Sequence, residues 1–81
     1  MKSFIKNELI ALLRQRVDVI ADHGLRGADP VKHLAQLASV SEAIERAFQE
    51  HRKDLPARLC HFLSQASFQK AQEYLENEPE D

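Results

Sequence analysis

Apolar residues recur every three or four positions along the first quarter of the chain, at Ile5, Leu9, Leu12, Leu13, Val17 and Ile20. This period places their side chains on one face of an α-helix. Ser3 is a candidate N-cap for this helix, and Gly24 stands where a glycine commonly ends one. The pattern therefore predicts a first helix over about residues 3–23, followed by a loop over residues 24–28.

The dipeptide Asp29-Pro30 marks the start of a second helix. An Asp side chain at the N-cap accepts hydrogen bonds from free backbone amides, and Pro at the first helical position loses no hydrogen bond. The apolar stripe that follows consists of Leu34, Leu37, Ala38, Ser41, Ile44, Ala47 and Phe48. We expect this helix over about residues 30–53, antiparallel to the first helix across the short loop.

Two short helices are predicted in the last third of the chain. Pro56 disfavours a helical residue before it, so a third helix starts there and covers about residues 56–64. A fourth covers about residues 67–77, and together the two carry the apolar positions Leu59, Phe62, Leu63, Phe68, Ala71, Tyr74 and Leu75. The polar stretch 64–67 leaves open whether these are separate helices or one kinked helix. The predicted fold class is all-α, a small helical bundle in which the short helices pack across the two long ones.

The composition fits one globular domain over residues 1–81. Hydrophobic residues make up 43% and charged residues 30% of the chain, which argues against a disordered polymer. The longest apolar run, Leu9 to Leu13, is far shorter than the roughly 20 residues that span a bilayer, and the sequence predicts no signal peptide. A single cysteine forms no internal disulfide, which favours a reducing compartment. We therefore expect a cytoplasmic protein without membrane contact.

Negative charge is concentrated at the C-terminal end, although the net charge of the chain is only −2. From residue 56 onward, the basic residues Arg58 and Lys70 are opposed by Glu73, Glu76, Glu78, Glu80 and Asp81. This balance counts against electrostatic attraction to nucleic acid or to anionic membranes. Residues 78–81 are predicted to form an acidic, frayed tail beyond the fourth helix.

No residue pattern predicts catalysis or metal binding. Cys60 and His61 are neighbours on a predicted helix, where successive side chains diverge by about 100°, so the imidazole cannot activate the thiol. Of the four histidines, only His23 and His33 are predicted to approach each other, across the first loop, and no zinc-binding spacing accompanies them. The sequence therefore predicts no catalytic residue, no metal ligand, no cofactor and no small-molecule substrate, and hence no enzyme.

Two further patterns are better explained as a helix connection and as solvent-facing charge. The segment 24–27, Gly-Leu-Arg-Gly, follows a helix rather than a strand, and Asp29 places a negative charge at the next helix start. Phosphate binding is therefore not expected there. Carboxylate pairs lie on predicted solvent faces rather than in a cleft that could shift their pKa values, namely Asp18 with Asp22 and Glu73 with Glu76.

Residues 58–70 have the rough order of a helix-turn-helix: a short helix, a polar turn, and a second helix that opens with Ser, Gln and Lys. Arg58, Gln69 and Lys70 are of the types that reach base edges or phosphates. Nucleic-acid binding through the third and fourth helices is therefore the alternative function. The turn lacks glycine, and two glutamates make the would-be recognition helix acidic, so this alternative ranks second.

Surplus apolar residues point to a protein partner. Phe4, Ile10 and Val19 fall outside the main stripe of the first helix, and Val31 and Val40 outside that of the second. A bundle of this size does not readily bury all of them, and exposed apolar stripes usually mark partner surfaces. We expect a non-catalytic protein–protein interaction module that self-associates as a homodimer. Its predicted contacts are Phe4, Ile10, Val19 and Val40. A monomer with scattered exposed apolar residues is the competing interpretation.

Overall fold

Five α-helices joined by short turns make up the computed structural model, which describes residues 1–77. They are α1 (Ser3–Ala21), α2 (His23–Ala28), α3 (Pro30–His51), α4 (Ala57–Ser64) and α5 (Phe68–Asn77), with a 3₁₀ turn at Arg52–Asp54. No strand occurs within the described residues, and the predicted all-α class is confirmed. The acidic tail predicted at residues 78–81 lies outside them.

The connection between the two long helices is itself helical, so the loop predicted over residues 24–28 is wrong. The Asp22 carboxylate accepts a hydrogen bond from the Leu25 amide at 3.0 Å and thereby caps α2. With this cap in place, Gly24 continues in helical geometry and does not adopt the left-handed conformation of a helix-ending glycine. The first helix therefore ends at Ala21, two residues before the predicted end.

The starts of the two long helices differ in how they are held. Asp29 is the predicted N-cap of α3, and its Oδ1 accepts a hydrogen bond from the Lys32 amide at 3.0 Å. Ser3 is not a cap, because it is already the first residue of α1. The N-cap there is Lys2, which makes no side-chain capping bond since a lysine ammonium has no acceptor.

α1 and α3 lie antiparallel along a molecule that measures 43 × 21 × 20 Å. Near the start of α1, Glu8 Oε2 lies 2.8 Å from Nε2 of His51 at the end of α3. At the opposite end, His33 Nε2 on α3 lies 2.7 Å from the Val19 carbonyl oxygen on α1. These two contacts fix the register of the pair, and α2 packs against α3.

α4 and α5 are separate helices rather than one kinked helix. The Ser67 amide donates to the Phe62 carbonyl at 2.8 Å. The Ala66 amide donates to the Leu63 carbonyl at 3.1 Å. This pair of bonds is the Schellman arrangement that closes a helix C-terminus, and Ala66 occupies its left-handed position with φ 55°. The turn brings α5 back to pack against α4.

One buried cluster joins the short helices to half of the long pair. Its members are Ile5, Leu9, Leu13, Ile44, Ala47, Phe48, Leu55, Leu59, Leu63, Ala71 and Leu75. The α1 members end at Leu13 and the α3 members begin at Ile44, so α4 and α5 cover only the end of the hairpin where α1 begins and α3 ends. We call this end the closed half. The open half is the other end, residues 14–37.

Candidate interaction surface

Large apolar side chains are exposed in the open half. On α1, Val17 is 45% exposed and Ile20 is 40% exposed. On α3, Val31 is 78% exposed and Leu34 is 66% exposed. We call these four residues the open-end surface. Three of them, Val17, Ile20 and Leu34, belong to the apolar stripes of α1 and α3, so each stripe is buried along only part of its length.

The stripes are exposed because the layer formed by α4 and α5 stops short of them. α5 begins at Phe68, whose ring lies 4.8 Å from the guanidinium of Arg16 on α1. Farther along the hairpin, the groove between α1 and α3 is lined by Ile20, Leu34 and Leu37 with no residue of α4 or α5. The apolar faces of the two long helices therefore extend beyond the helices that bury them.

Ile20 is the central residue of the open-end surface. On one side it lines a mainly apolar groove between α1 and α3, together with Leu34 and Leu37. On the other side it lines a groove between α1 and α5, together with Val17. A third groove runs from Ile20 to the start of α5 at Phe68. Because the three grooves meet at one side chain, the surface is continuous from α3 across α1 to α5.

α3 has the spacing of a helix-packing seam, with alternating intervals of three and four residues at Leu34, Leu37, Ser41, Ile44 and Phe48. This alternation is the pattern with which one helix packs lengthwise against another. Ile44 and Phe48 are buried in the core, whereas Leu34 is exposed. The exposed end of the seam therefore has the side-chain spacing that accommodates a further helix.

His33 holds the two walls of the apolar groove together. It is 9% exposed, and its Nε2 donates a hydrogen bond to the Val19 carbonyl at 2.7 Å. The contact ties the first turns of α3 to the last turn of α1, so the groove exists without a partner. His23, which was predicted to approach His33, is exposed on α2, while the His33 ring is engaged by the α1 backbone.

Charges around the open half are balanced. Residues 14–34 and 67–77 carry as many basic as acidic side chains, namely Arg14, Arg16, Arg26, Lys32 and Lys70 against Asp18, Asp22, Asp29, Glu73 and Glu76. Two of the aspartates cap helices, and Arg14 Nε lies 2.8 Å from Glu76 Oε1. No single sign of charge dominates, so the region does not attract a highly charged ligand over long range.

The four partner contacts predicted from the sequence do not form one surface. Phe4 is 62% exposed, but it lies at the closed end, edge-on to the His51 ring at 6.2 Å. Ile10 is half-buried against the core. Val40 is only 4% exposed, so its expected exposure is wrong; it lies between α1 and α3, where it lines a shallow groove with half-buried Val19. Their role in binding stays a prediction.

The three candidate nucleic-acid contacts are exposed but do not lie together. Arg58 is in the first turn of α4, whereas Gln69 and Lys70 are in the first turn of α5. The length of α4, roughly 10 Å, separates the two positions along the hairpin. Lys70 is also three residues from Glu73, the spacing at which helix side chains of opposite charge meet.

Cys60 and His61 have different surroundings. The half-buried Cys60 Sγ lies 3.7 Å from the carbonyl oxygen of Arg52 and 3.8 Å from that of Leu55. The exposed His61 ring lies 6.2 Å from the Phe62 ring. Among residues 1–77, no group of three or more His, Cys, Asp or Glu side chains is placed so that it could hold a metal ion.

No protein-family model, curated protein or solved structure matches this chain. Of the helices in the described part of the chain, none combines the length and the apolar character needed to cross a bilayer. The structure thus defines an all-α protein with one uncovered pair of apolar helix faces. That surface is the feature from which a function can be argued.

Proposed function

We propose that this chain is a non-catalytic protein-interaction module that binds a helical segment on the open-end surface. The observation that carries the proposal is the exposure of Val17, Ile20, Val31 and Leu34 at one end of the hairpin. Single exposed apolar residues are common, but a contiguous group of them usually marks a binding site. A partner that covers the exposed parts of these side chains gains roughly 25 cal/mol for each Å² of apolar surface removed from water.

Three features support a helix as the bound segment. The exposed end of the α3 seam keeps the three-and-four spacing that receives another helix. The groove beside Ile20 lies between α1 and α3, with Arg26 of α2 also in its lining, and is mainly apolar, as grooves that bind amphipathic helices are. The bond from His33 to Val19 forms that groove in advance, which lowers the entropy cost of binding.

A matched pair of variants tests the proposal. Leu34→Lys places a charge in the open-end surface, and Gln36→Lys places the same charge on an exposed position of the same turn of α3. Gln36 lies about 160° around the helix from Leu34. It lines the groove with Val19 and Val40 and not the one with Ile20. Each protein is immobilised and exposed to a cell extract. The polypeptides that it retains, including soluble copies of this chain, are compared by mass spectrometry.

We expect the wild type and Gln36→Lys to retain the same polypeptides, and Leu34→Lys to lose them. Because Leu34 is 66% exposed, its substitution leaves the fold intact, which circular dichroism verifies. If no polypeptide distinguishes Leu34→Lys from Gln36→Lys, the open-end surface is not a binding site and the proposal is wrong.

Nucleic-acid binding through α4 and α5 is the second candidate. It is favoured by the separation of these helices by a three-residue turn at 65–67, the arrangement that a helix-turn-helix requires. The candidate predicts salt-sensitive retention on duplex DNA that Lys70→Glu removes. Absence of any retention at low salt would eliminate it.

We propose a cytoplasmic location together with this function. It is supported by Cys60, which is a free thiol in a small chain. Small secreted domains usually depend on disulfides for stability, and a reducing compartment preserves the thiol.

A further inference from the structure

We propose that the segment bound by the open-end surface is a second copy of this chain. In this arrangement, α1 and α3 of the two copies form a four-helix bundle about a twofold axis. The inference rests on the interaction function proposed above and names its partner. Twofold dimers are the commonest closed assemblies, and each copy then offers the same surface to the other.

The first argument is that a copy supplies what the open half lacks. In the closed half, two helices, α4 and α5, complete the hairpin of α1 and α3. The open half has the same hairpin without the second pair of helices. The open half of another copy offers such a pair, and both of its helices carry an exposed apolar stripe at helix-packing spacing. Pairing the two open halves gives each copy a complete four-helix cross-section.

The second argument is the area. The exposed fractions of Val17, Ile20, Val31 and Leu34 correspond to on the order of 400 Å² of apolar surface, the size of a functional patch on a typical monomer. Two copies contribute twice this area, and homodimer interfaces are about 65% apolar, which implies a total interface of roughly 1,200 Å². This value meets the lower limit for a specific interface. A weak dimer is expected, with a dissociation constant on the order of 100 μM.

The third argument is the charge balance of the open half. A surface with a strong excess of one charge repels its own copy and selects a partner of opposite charge. The open half and the adjoining α5 carry equal numbers of basic and acidic side chains. This neutrality removes the electrostatic barrier to self-association, and nothing in it selects an oppositely charged protein.

The position of α4 and α5 fixes the orientation of the copy. These helices cover the same face of the hairpin on which the open-end surface lies. A copy with its hairpin running the same way would overlap them, so the two hairpins must meet with their closed ends pointing apart. In that orientation, α2 of one copy approaches the start of α5 of the other.

Sedimentation and light scattering across concentration test the proposal with the full chain. We expect the average mass to rise from 9.3 kDa at low micromolar concentration toward twice that value near 1 mM. Leu34→Lys should raise the dissociation constant at least tenfold, and Gln36→Lys should leave it unchanged within a factor of two. Strictly monomeric wild-type protein at 1 mM overturns the proposal, and so does a dimer that Leu34→Lys leaves intact.

Engineered cysteines test the orientation, in a Cys60→Ala background. Gly27 accepts a side chain because an added Cβ meets no atom within 4 Å, and Gln69 is exposed at the start of α5. A mixture of Gly27→Cys and Gln69→Cys proteins should form a disulfide between the two under mild oxidation. A mixture of Gly27→Cys with Asn7→Cys, exposed at the closed end, should not. Equal cross-linking in both mixtures overturns the arrangement.

These outcomes separate the two proposals. If the wild type is monomeric but still retains a different protein that Leu34→Lys releases, the second copy is wrong and the interaction module stands. If the wild type is monomeric and the two lysine variants retain the same polypeptides, both proposals fall.

Discussion

The closed and open halves of the hairpin are built from the same two helices but differ in burial. On α1, Leu9 is 0% and Leu13 is 1% exposed, whereas Val17 and Ile20, one and two turns farther along, are 45% and 40% exposed. All four belong to one stripe. The difference shows that the reach of a third helical layer, and not the apolar character of the stripe, decides which side chains are removed from water.

The two halves also differ in what their apolar surface contributes to the free energies of folding and of binding. Burial in the closed half stabilises the monomer, because its apolar side chains are exposed only after unfolding. The open-end surface contributes less to monomer stability, because its side chains remain partly in contact with water. Its hydrophobic free energy remains available for binding.

The largest expected effect comes from truncating α1 in each half. Leu9→Ala removes a fully buried side chain and should lower the free energy of unfolding by about 2–5 kcal/mol. Ile20→Ala, the matched change in the open half, should lower it by a smaller amount, about 1–2 kcal/mol, because 40% of the residue is already exposed. Urea unfolding at low micromolar concentration measures both values. Equal losses would contradict the division into two halves.

A smaller effect is expected at the contact that joins the two helices in the open half. His33→Ala removes the ring that donates to the Val19 carbonyl, and should cost about 1–3 kcal/mol because a part-buried hydrogen bond is lost. His23→Ala serves as the control. His23 is the exposed first residue of α2, so this change should alter stability by less than about 0.5 kcal/mol. Thermal unfolding measures both variants, and equal stability of the two would contradict a stabilising role for the His33 hydrogen bond.

The smallest expected effect is a gain at the turn that sets the extent of the third layer. Ala66 holds the left-handed position of the Schellman motif, where glycine has no steric penalty. Ala66→Gly should therefore raise stability by about 0.5–1 kcal/mol. Ala35→Gly, in the interior of α3, should lower it by a similar amount, about 0.5–1 kcal/mol. A loss of stability in Ala66→Gly would mean that the turn does not depend on this conformation.

The sequence predicts those features of the fold that depend on a few neighbouring residues. Asp29-Pro30 starts α3 as expected, because the cap and the first helical residue act locally. The prediction at Gly24 was wrong although the deciding residue is also a neighbour in the sequence. The Asp22 carboxylate competes by capping a new helix, and the glycine becomes part of that helix instead of ending the previous one.

The candidate surface was harder to predict because burial is not a local property. Periodicity identifies which face of α1 is apolar, but it does not show that α5 begins beside Arg16 and leaves Ile20 uncovered. Val40 was expected to be exposed but is buried, because its spacing from the main stripe did not reveal that it faces α1. Helix lengths alone did not reveal it, because α4 and α5, of 8 and 10 residues, together nearly match the 19 residues of α1. They cover only part of the hairpin because the turn at Ala66 folds α5 back against α4.

α2 has a consequence for the dynamics of the open half. Two of its six residues are glycines, and none of its side chains is buried. Glycine lowers helix stability by about 1 kcal/mol relative to alanine, and a helix this short does not persist alone. Its order therefore depends on the Asp22 cap and on contact with α3. We expect the amide protons of α2 to exchange with solvent through local openings that cost far less free energy than global unfolding. A partner bound in the neighbouring groove should slow this exchange, and the ordering of α2 then subtracts conformational entropy from the binding free energy.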